Sequence, residues 1–148
     1  MITGTIDEIL QQKPSVLWTI SPDATVFDAI ELMAGKNIGA LLVIADGALL
    51  GVVSERDYTR KVALKGKSSR DTRVREIIST PLIAATTQHT VQECMRLMTT
   101  NRVRHLPILA GNDVMGIVSI GDLVNWIISA QSVAITQLES YIAGQYPG

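Results

Sequence analysis

The most constraining feature of this sequence is that one segment occurs twice. When the chain is shifted along itself by 65 positions, residues 22–58 align with residues 87–123 without a gap, and ten of the 37 aligned pairs are identical. Most of the other pairs keep their apolar character, and residues 6–10 resemble residues 74–78 at a slightly larger offset. A repeat of this length predicts a supersecondary unit that pairs with its copy to close a core. It also predicts two related sites, one in each copy.

Each copy has the same predicted order of elements. In the first copy, apolar residues at helical spacing predict a helix over residues 25–36, and short apolar runs predict strands over 40–44 and 49–54. A further helix begins near Glu55. The second copy repeats this order with a helix over 90–101, strands over 106–109 and 114–119, and a helix over 121–129. The sequence therefore predicts an α/β protein in which two helix–strand–strand–helix repeats pack as a pseudo-twofold pair.

The repeats also define the predicted domain organisation. We predict a first repeat, with an N-terminal helix, over residues 5–66 and a second repeat over residues 74–130. The intervening residues 67–73 are polar, which favours an exposed linker. Residues 131–148 are predicted to form a C-terminal helix.

The C-terminal helix carries an apolar stripe formed by Ile135, Leu138 and Ile142. Such a stripe packs against another surface. Two interpretations stay open: the stripe covers the core of its own chain, or it forms a dimer contact. The chain is 47% hydrophobic with a mean hydropathy of +0.26, which is apolar for a protein of 148 residues and favours a subunit interface. We therefore expect a homodimer.

Charge and composition exclude several classes of function. The net charge of −1 leaves no broad basic surface for nucleic acid. The longest apolar stretch, residues 38–53, contains a charged residue and three glycines and is too short to span a bilayer. The N-terminus lacks the pattern of a signal peptide, and the single cysteine, Cys94, fits a reducing compartment as a small core residue. We expect a cytoplasmic protein that binds neither nucleic acid nor membrane.

Both copies end their second strand with the pattern Gly-x-Val-Ser-x-x-Asp. The pattern places Ser54 three residues before Asp57, and Ser119 three residues before Asp122. A hydroxyl and a carboxylate at the start of a helix suit a phosphate and the hydroxyls of a ribose. The same pattern is also a helix capping box, a device that the spacing predicts at Thr25 and again at Thr90 without any ligand. Capping and ligand binding both stay open on the motif alone.

The doubled unit, with each copy ending in apolar-apolar-Ser-x-x-Asp, resembles a tandem pair of CBS domains, which is called a Bateman module. Residues 54–58 and 101–107 are especially similar to small stand-alone CBS-pair proteins. The resemblance implies a disc-like dimer that binds an adenosine-containing ligand: AMP, ADP, ATP, NAD or S-adenosylmethionine. It further implies that serine and aspartate of the motif hold ribose and phosphate, while backbone around the first strand of each unit cradles adenine. No catalytic cofactor is implied.

The two copies differ at the position where the resemblance places the ligand. Gly39 aligns with Arg104, and Ala40 aligns with His105. Because each cleft is shared between the copies in this family, the resemblance implies two unequal sites. The predicted stronger phosphate site contains Ser54, Arg56, Asp57, Arg104 and His105, and the weaker site contains Gly39, Ala40, Ser119 and Asp122. We expect Arg60 and Lys61, the next cations along the helix, to be a solvated surface.

These observations predict a regulatory module that senses AMP, ADP, ATP or NAD and couples occupancy to dimer geometry and to a regulated partner protein. The sequence contains no cysteine–histidine spacing typical of zinc sites and no recognisable nucleophile–base pair, so we predict no metal and no enzymatic activity. Two alternatives stay open. One is a ligand-independent module for structure and oligomerisation, and the other is a nucleotide-processing enzyme with His105 as acid or base.

Overall fold

Two three-stranded sheets, one in each repeat, organise the chain. We describe residues 4–13 and 16–143 of a computed structural model. The first half contains α1 (Ile6–Gln11), β1 (Thr19–Ile20), α2 (Val26–Lys36), β2 (Ala40–Ala45), β3 (Ala48–Ser54) and α3 (Glu55–Tyr58), which continues as a π-helical turn (Thr59–Ala63). The second half contains a 3₁₀ turn (Val74–Glu76), β4 (Ala85–Thr86), α4 (Val91–Asn101), β5 (His105–Ala110), β6 (Asp113–Ser119) and α5 (Ile120–Ile142).

The two sheets have the same topology, which confirms the predicted α/β class. In each sheet the first strand is parallel to the second, and the second is antiparallel to the third, giving the orders β1-β2-β3 and β4-β5-β6. The register is also equivalent, because Ala40 pairs with Ser54 in one sheet and His105 pairs with Ser119 in the other. The repeat in the sequence therefore reappears as a repeat in space.

Two left-handed residues set the direction in which each central strand starts. Asn37 ends α2 with φ of 56°, and Arg102 ends α4 with φ of 54°. This conformation closes a helix and turns the chain sharply. The turns bring the residues that follow, 38–40 and 103–105, to the ends of the sheets beside Ser54 and Ser119. The local geometry thus places the segments that differ between the repeats next to the Ser-x-x-Asp motifs.

Only one of the two capping boxes predicted for α2 and α4 is complete. At α4, the Thr90 hydroxyl accepts the Glu93 N–H at 3.0 Å, and the Glu93 carboxylate accepts the Thr90 N–H at 3.0 Å. At α2, the Thr25 hydroxyl accepts the Asp28 N–H at 3.1 Å, but the reciprocal contact is not among those of the described residues.

The segment at the start of each predicted repeat packs in the core of the other repeat. Ile6 and Ile9 are buried among the residues of the second repeat, while Val74 and Ile77 are buried among those of the first. Backbone hydrogen bonds repeat the exchange. The Val91 N–H donates to the Gly4 carbonyl at 3.0 Å, and the Val26 N–H donates to the Thr72 carbonyl at 2.8 Å. We call this arrangement the reciprocal exchange.

The polar connection between the repeats is more ordered than the sequence suggests. Thr72 is only 4% exposed, and the Phe27 N–H at the start of α2 donates to the Ser69 carbonyl at 2.9 Å. The Arg70 guanidinium lies 3.9 Å from the centre of the Phe27 ring, a cation–π contact. The prediction of an exposed linker holds for five of residues 67–73 and fails at Thr72, which leads directly into the reciprocal exchange.

The C-terminal helix is a continuation of the last helix of the second repeat. Where the sequence predicted separate helices over 121–129 and 131–148, the structure has one helix, α5, of 23 residues. Residues 144–148 lie outside the described residues. Ile135, Leu138 and Ile142 are 56%, 59% and 75% exposed, so this stripe does not cover the core of its own chain. No helix among residues 4–13 and 16–143 is long and apolar enough to cross a membrane.

The reciprocal exchange predicts unequal effects at two equivalent glycines. A Cβ added at Gly116 would lie 2.8 Å from Leu10, whereas a Cβ added at Gly51 would lie 3.5 Å from Ile78, an ordinary contact. Because the atom in the way is the terminal Cδ2 of Leu10, which can move aside, we expect Gly116→Ala to destabilise the fold by about 1 kcal/mol through overpacking. We expect Gly51→Ala to be neutral or stabilising, because alanine loses less backbone entropy in a strand. Thermal unfolding of both variants measures the difference, and equal midpoints would contradict this packing.

Candidate functional site

Two clefts lie between the repeats, and each is lined by both of them. The first cleft has a volume of about 370 Å³ and is lined by residues 52–61 of the first repeat and by residues 79–83 and 102–105 of the second. The second cleft has a volume of about 450 Å³ and is lined by residues of 10–18 and 37–40 from the first repeat and of 115–122 from the second. A ligand in either cleft would therefore contact both halves of the molecule.

The walls of the two clefts are built from equivalent segments. Residues 81–83 in the first cleft align with residues 16–18 in the second, and residues 102–105 align with residues 37–40. The clefts are thus copies of one design, and differences between them come from side chains. Apolar residues form part of each wall: Val52, Pro81, Leu82, Ile83 and Val103 in the first, and Leu10, Val16, Leu17, Trp18, Ile38, Met115 and Ile117 in the second.

All nine residues that the sequence proposed as site residues line one or both clefts. The first cleft alone contains Ser54, Arg56, Asp57 and Arg104, and the second alone contains Ala40, Ser119 and Asp122. Gly39 and His105 line both. The structure therefore places the Ser54–Asp57 motif in one cleft with Arg104 and His105, and the Ser119–Asp122 motif in the other cleft with Gly39 and Ala40, as the sequence analysis predicted. Ligand binding by these residues stays a prediction.

The Ser-x-x-Asp motifs form helix caps and also face the clefts. The Ser54 N–H donates to Asp57 Oδ2 at 2.9 Å, and the Asp57 N–H donates to Ser54 Oγ at 3.2 Å. In the second repeat the corresponding distances are 2.8 Å to Asp122 Oδ2 and 3.1 Å to Ser119 Oγ. Capping fixes the side chains in one orientation, and that orientation leaves them on the cleft walls. The two interpretations of the motif are compatible.

Each motif carboxylate is paired with a lysine. Lys61 Nζ lies 3.2 Å from Asp57 Oδ1 and also donates to the Ile77 carbonyl at 2.8 Å. Lys13 Nζ lies 2.6 Å from Asp122 Oδ2 and donates to the Ile117 carbonyl at 2.9 Å. The expectation that Lys61 forms only a solvated surface is therefore wrong, because its ammonium group makes the contacts with Asp57 and Ile77. Arg60 is exposed, as expected, and also lines the first cleft.

The two lysines come from positions that the repeat does not relate. Lys61 aligns with Trp126 of the second repeat. Lys13 lies in the connection between Leu10 and Val16, which is three residues longer than the equivalent connection between Ile78 and Pro81. Comparison of the copies therefore missed Lys13. The spacing of four residues between Asp57 and Lys61 on a helix was a usable signal for that pair.

The first cleft is much more cationic than the second. It is lined by the five cations Arg56, Arg60, Lys61, Arg102 and Arg104, with the acids Glu55 and Asp57. The pKa of Arg56 is lowered, first by loss of hydration and then by the neighbouring positive charges of Arg60 and Arg104. In the second cleft, Lys13 and Asp122 are the only charged lining residues within the described part of the chain. A cluster of cations within one cleft favours a polyanion.

His105 separates the two clefts and belongs to both. Burial lowers the pKa of its imidazole, and the carboxylates of Asp122 and Asp57, one in each cleft, oppose that shift. Because burial outweighs these carboxylates, the net shift of the pKa is downward and favours the neutral imidazole. A neutral imidazole has one N–H donor and one acceptor nitrogen. His105 can therefore donate a hydrogen bond to a group in one cleft while it accepts one from the other side.

Neither a metal centre nor a reactive thiol is apparent. Within residues 4–13 and 16–143, no group of three or more His, Cys, Asp or Glu side chains is arranged to hold a metal ion. Burial raises the pKa of the Cys94 thiol to about 11, so it stays protonated and packs as a small apolar side chain in the second repeat.

The structure is thus a pseudo-twofold α/β pair with two equivalent clefts between its repeats. The CBS domain profile matches the chain twice, over residues 6–64 and 74–129. This chain belongs to the CBS-domain family, as a tandem CBS pair.

Known relatives have the same organisation. The mitochondrial CBS domain-containing protein CBSX3 of Arabidopsis thaliana is 38% identical over 96% of this chain and 73% of its own length. A protein with CBS domains from Burkholderia ambifaria is 45% identical, with a TM-score of 0.82 over 86% of this chain and 96% of its own. The CBS domain pair of protein MJ0100, solved with 5′-methylthioadenosine and S-adenosyl-L-methionine, is 21% identical, with a TM-score of 0.74 over 86% of this chain and 98% of its own.

The lysine–carboxylate pair in the second cleft predicts a pH-dependent contribution to stability. Burial opposes ionisation of Asp122, but hydrogen bonds from Lys13 and from the Ser119 N–H lower its pKa overall. The pair therefore stabilises the fold above the unfolded-state pKa of about 3.9, and this contribution is lost as pH falls through the lower folded-state value. At pH 7 we expect Lys13→Met to cost about 1 kcal/mol, or roughly 2–4 °C in the unfolding midpoint.

Thermal unfolding of Lys13→Met and the wild type between pH 7 and pH 3 tests this prediction. The difference between their midpoints should shrink below pH 4. Lys65→Met, at an exposed position, is the matched control and should leave the midpoint unchanged. A difference that is the same at pH 3 as at pH 7 would contradict the assignment of the effect to the Asp122 carboxylate.

Proposed function

We propose that this CBS pair is a regulatory module whose first cleft binds an adenine nucleotide, with AMP, ADP, ATP and NAD as the candidate ligands. The observation that carries the proposal is the convergence of Ser54 and Asp57 of one repeat with Arg104 and His105 of the other on a single cleft. Carboxylate, hydroxyl, guanidinium and imidazole groups are the set that recognises ribose and phosphate together.

The charge of the first cleft supports a phosphorylated ligand. Guanidinium groups bind phosphate oxygens in a bidentate manner, and Arg102 and Arg104 lie in the short connection between α4 and β5. Mutual repulsion among the cations is relieved when a polyanion binds. The apolar side chains of Val52, Leu82 and Ile83 offer a surface for a flat base beside this charged region. The volume of about 370 Å³ is in the range of small-molecule sites.

The second cleft favours a less charged adenosine derivative, or none. Gly39 and Ala40 stand where the first cleft has Arg104 and His105, and one lysine is already paired with the Asp122 carboxylate. In support, the CBS pair of MJ0100 was solved with methylthioadenosine and S-adenosylmethionine, neither of which carries phosphate. We propose that this cleft discriminates against nucleotide phosphates because it lacks a cation cluster.

Regulation follows from the position of the clefts between the repeats. A ligand that contacts both halves favours one relative orientation of the halves, and only such differential contact can shift an equilibrium. We propose that the change passes to a homodimer and to a regulated partner protein, without catalysis by this chain. The relatives are CBS-domain proteins, one of them mitochondrial, and a cytoplasmic location stays part of the proposal.

One observation favours a second candidate function, a ligand-independent structural module. Both motif carboxylates are already satisfied inside the protein, by the cap N–H groups and by Lys61 or Lys13. A ribose must therefore compete with an ammonium group for the same oxygen atoms. If that competition fails, the clefts contribute packing and caps only.

A thermal-shift series separates the two candidate functions. At about one hundred times its Kd, a ligand stabilises the folded state by about 2.7 kcal/mol, or roughly 5–10 °C for a chain of this size. We expect such a shift with a nucleotide among AMP, ADP, ATP and NAD for the wild type. We expect Asp57→Asn and Arg104→Gln to lose it, because they remove the ribose acceptor and a phosphate donor.

Asp122→Asn is the matched control, since it makes the same change in the equivalent cleft. It should keep most of the nucleotide shift. S-Adenosylmethionine is included to probe the second cleft, where only Asp122→Asn should reduce its shift. No shift with any ligand would reject the sensor and favour the structural module, and a nucleotide shift lost only in Asp122→Asn would reverse the assignment of the clefts.

A further inference from the structure

The outward face of α5 is a regular apolar seam with no partner in the described part of the chain. Leu123 and Trp126 on the other face pack into the core of the second repeat, so the inner face of the helix is satisfied. From residue 128 to residue 139 every residue of the helix is exposed. The helix thus extends beyond the body that holds its first turns. The seam consists of Val124, Ile128, Gln131, Ile135, Leu138 and Ile142.

The spacing of the seam is that of a coiled coil. Successive seam residues are four, three, four, three and four positions apart, the alternation of d and a positions in a heptad. Ile128, Ile135 and Ile142 all occupy a positions, and Val124, Gln131 and Leu138 occupy d positions. β-Branched residues at a combined with leucine at d favour parallel two-stranded pairing. The seam matches this pattern at all three a positions and at one d position, Leu138.

We propose that α5 pairs in parallel with α5 of a second copy of this chain through this seam. Three features of the helix favour a second copy over other occupants. First, a heptad seam packs well against another heptad seam, and a second copy of this chain carries an identical one.

The proposed pairing does not depend on ligand binding in either cleft.

Second, charge does not oppose self-association. The 23 residues of α5 contain two charged side chains, Asp122 and Glu139. In a parallel pair, the e position of Glu139 faces the preceding g position of the partner, which is Ala134 in this sequence, so no like charges meet. The helix contains no lysine or arginine, unlike helices that lie on anionic membranes.

Third, the exposed area is sufficient for a specific contact. The apolar seam residues are 40% to 75% exposed. They present on the order of 500 Å² per copy, so pairing that covers the whole seam buries roughly 1,000 Å² in total, which is the size of a weak or transient interface. We therefore expect an association that is weak enough to depend on protein concentration.

Val133 supplies a matched control on the same helix. It is 57% exposed, as much as Ile135 at 56%, but it lies at an f position on the side away from the seam. The seam variant is Ile135→Ala with Leu138→Ala, and the control is Val133→Ala. Alanine preserves helix propensity in both. Sedimentation or light scattering over a concentration series measures the mass of the full chain.

We expect the mass of the wild type to be an even multiple of 16.0 kDa at high concentration. The seam variant should have half that mass, while the control should match the wild type. A wild type that is monomeric, or a seam variant that keeps the full mass, overturns the proposal. A monomer that binds neutral vesicles or another protein through this face would likewise overturn it and assign the seam to that partner.

Cysteine cross-linking tests the parallel orientation. Under mild oxidation Ile142→Cys should form a disulfide-linked dimer, because equivalent a positions are adjacent in a parallel pair. In an antiparallel pair residue 142 would face residue 124, roughly 27 Å along the helix from its own copy. Val133→Cys should not cross-link, and Cys94 is buried. Cross-linking of Val133→Cys, or of neither variant, overturns the parallel pairing.

Discussion

The reciprocal exchange of segments between the repeats is the constraint on which the rest of the structure depends. Ile6 and Ile9 complete the core of the second repeat, and Val74 and Ile77 complete that of the first. Each repeat therefore lacks part of its core unless the other is folded beside it. Because the exchange also supplies backbone hydrogen bonds to the first turns of α2 and α4, it fixes the two sheets relative to each other. The clefts between the repeats are a consequence of this arrangement.

The two clefts have the same backbone architecture but different side chains, which is how one fold can form two different binding sites. The left-handed residues Asn37 and Arg102 end α2 and α4 in the same way, so the backbone that follows each of them has an equivalent position in the two clefts. Chemistry then differs by a few substitutions, above all Gly39 and Ala40 against Arg104 and His105. The α5 helix begins beside Asp122 and ends in the exposed seam, which gives the second cleft a rigid physical connection to the proposed dimer contact.

The helices and strands could be predicted well from the sequence, because each of them occurs in both copies of the repeat and each copy supports the assignment in the other. The sequence predicted which motif of one repeat meets which segment of the other only through the family resemblance. It did not predict the reciprocal exchange, since composition and periodicity carry no information about which of two similar cores a short apolar segment enters. It missed Lys13 because an irregular connection has no counterpart in the other copy. The continuity of α5 was hidden by polar residues around Ser129 that interrupt its apolar pattern but not its backbone.

Of the two clefts, the first holds the cation cluster that suits the phosphates of a nucleotide. Titration calorimetry of AMP, ADP, ATP and NAD into the wild-type chain, each at two salt concentrations, tests this inequality. We expect at least one of these nucleotides to bind with a stoichiometry of one per chain and with an affinity that falls steeply as salt screens the cation cluster. Two molecules of the same nucleotide per chain with equal affinity would contradict the inequality of the clefts, and binding of none of the four would contradict the nucleotide site itself.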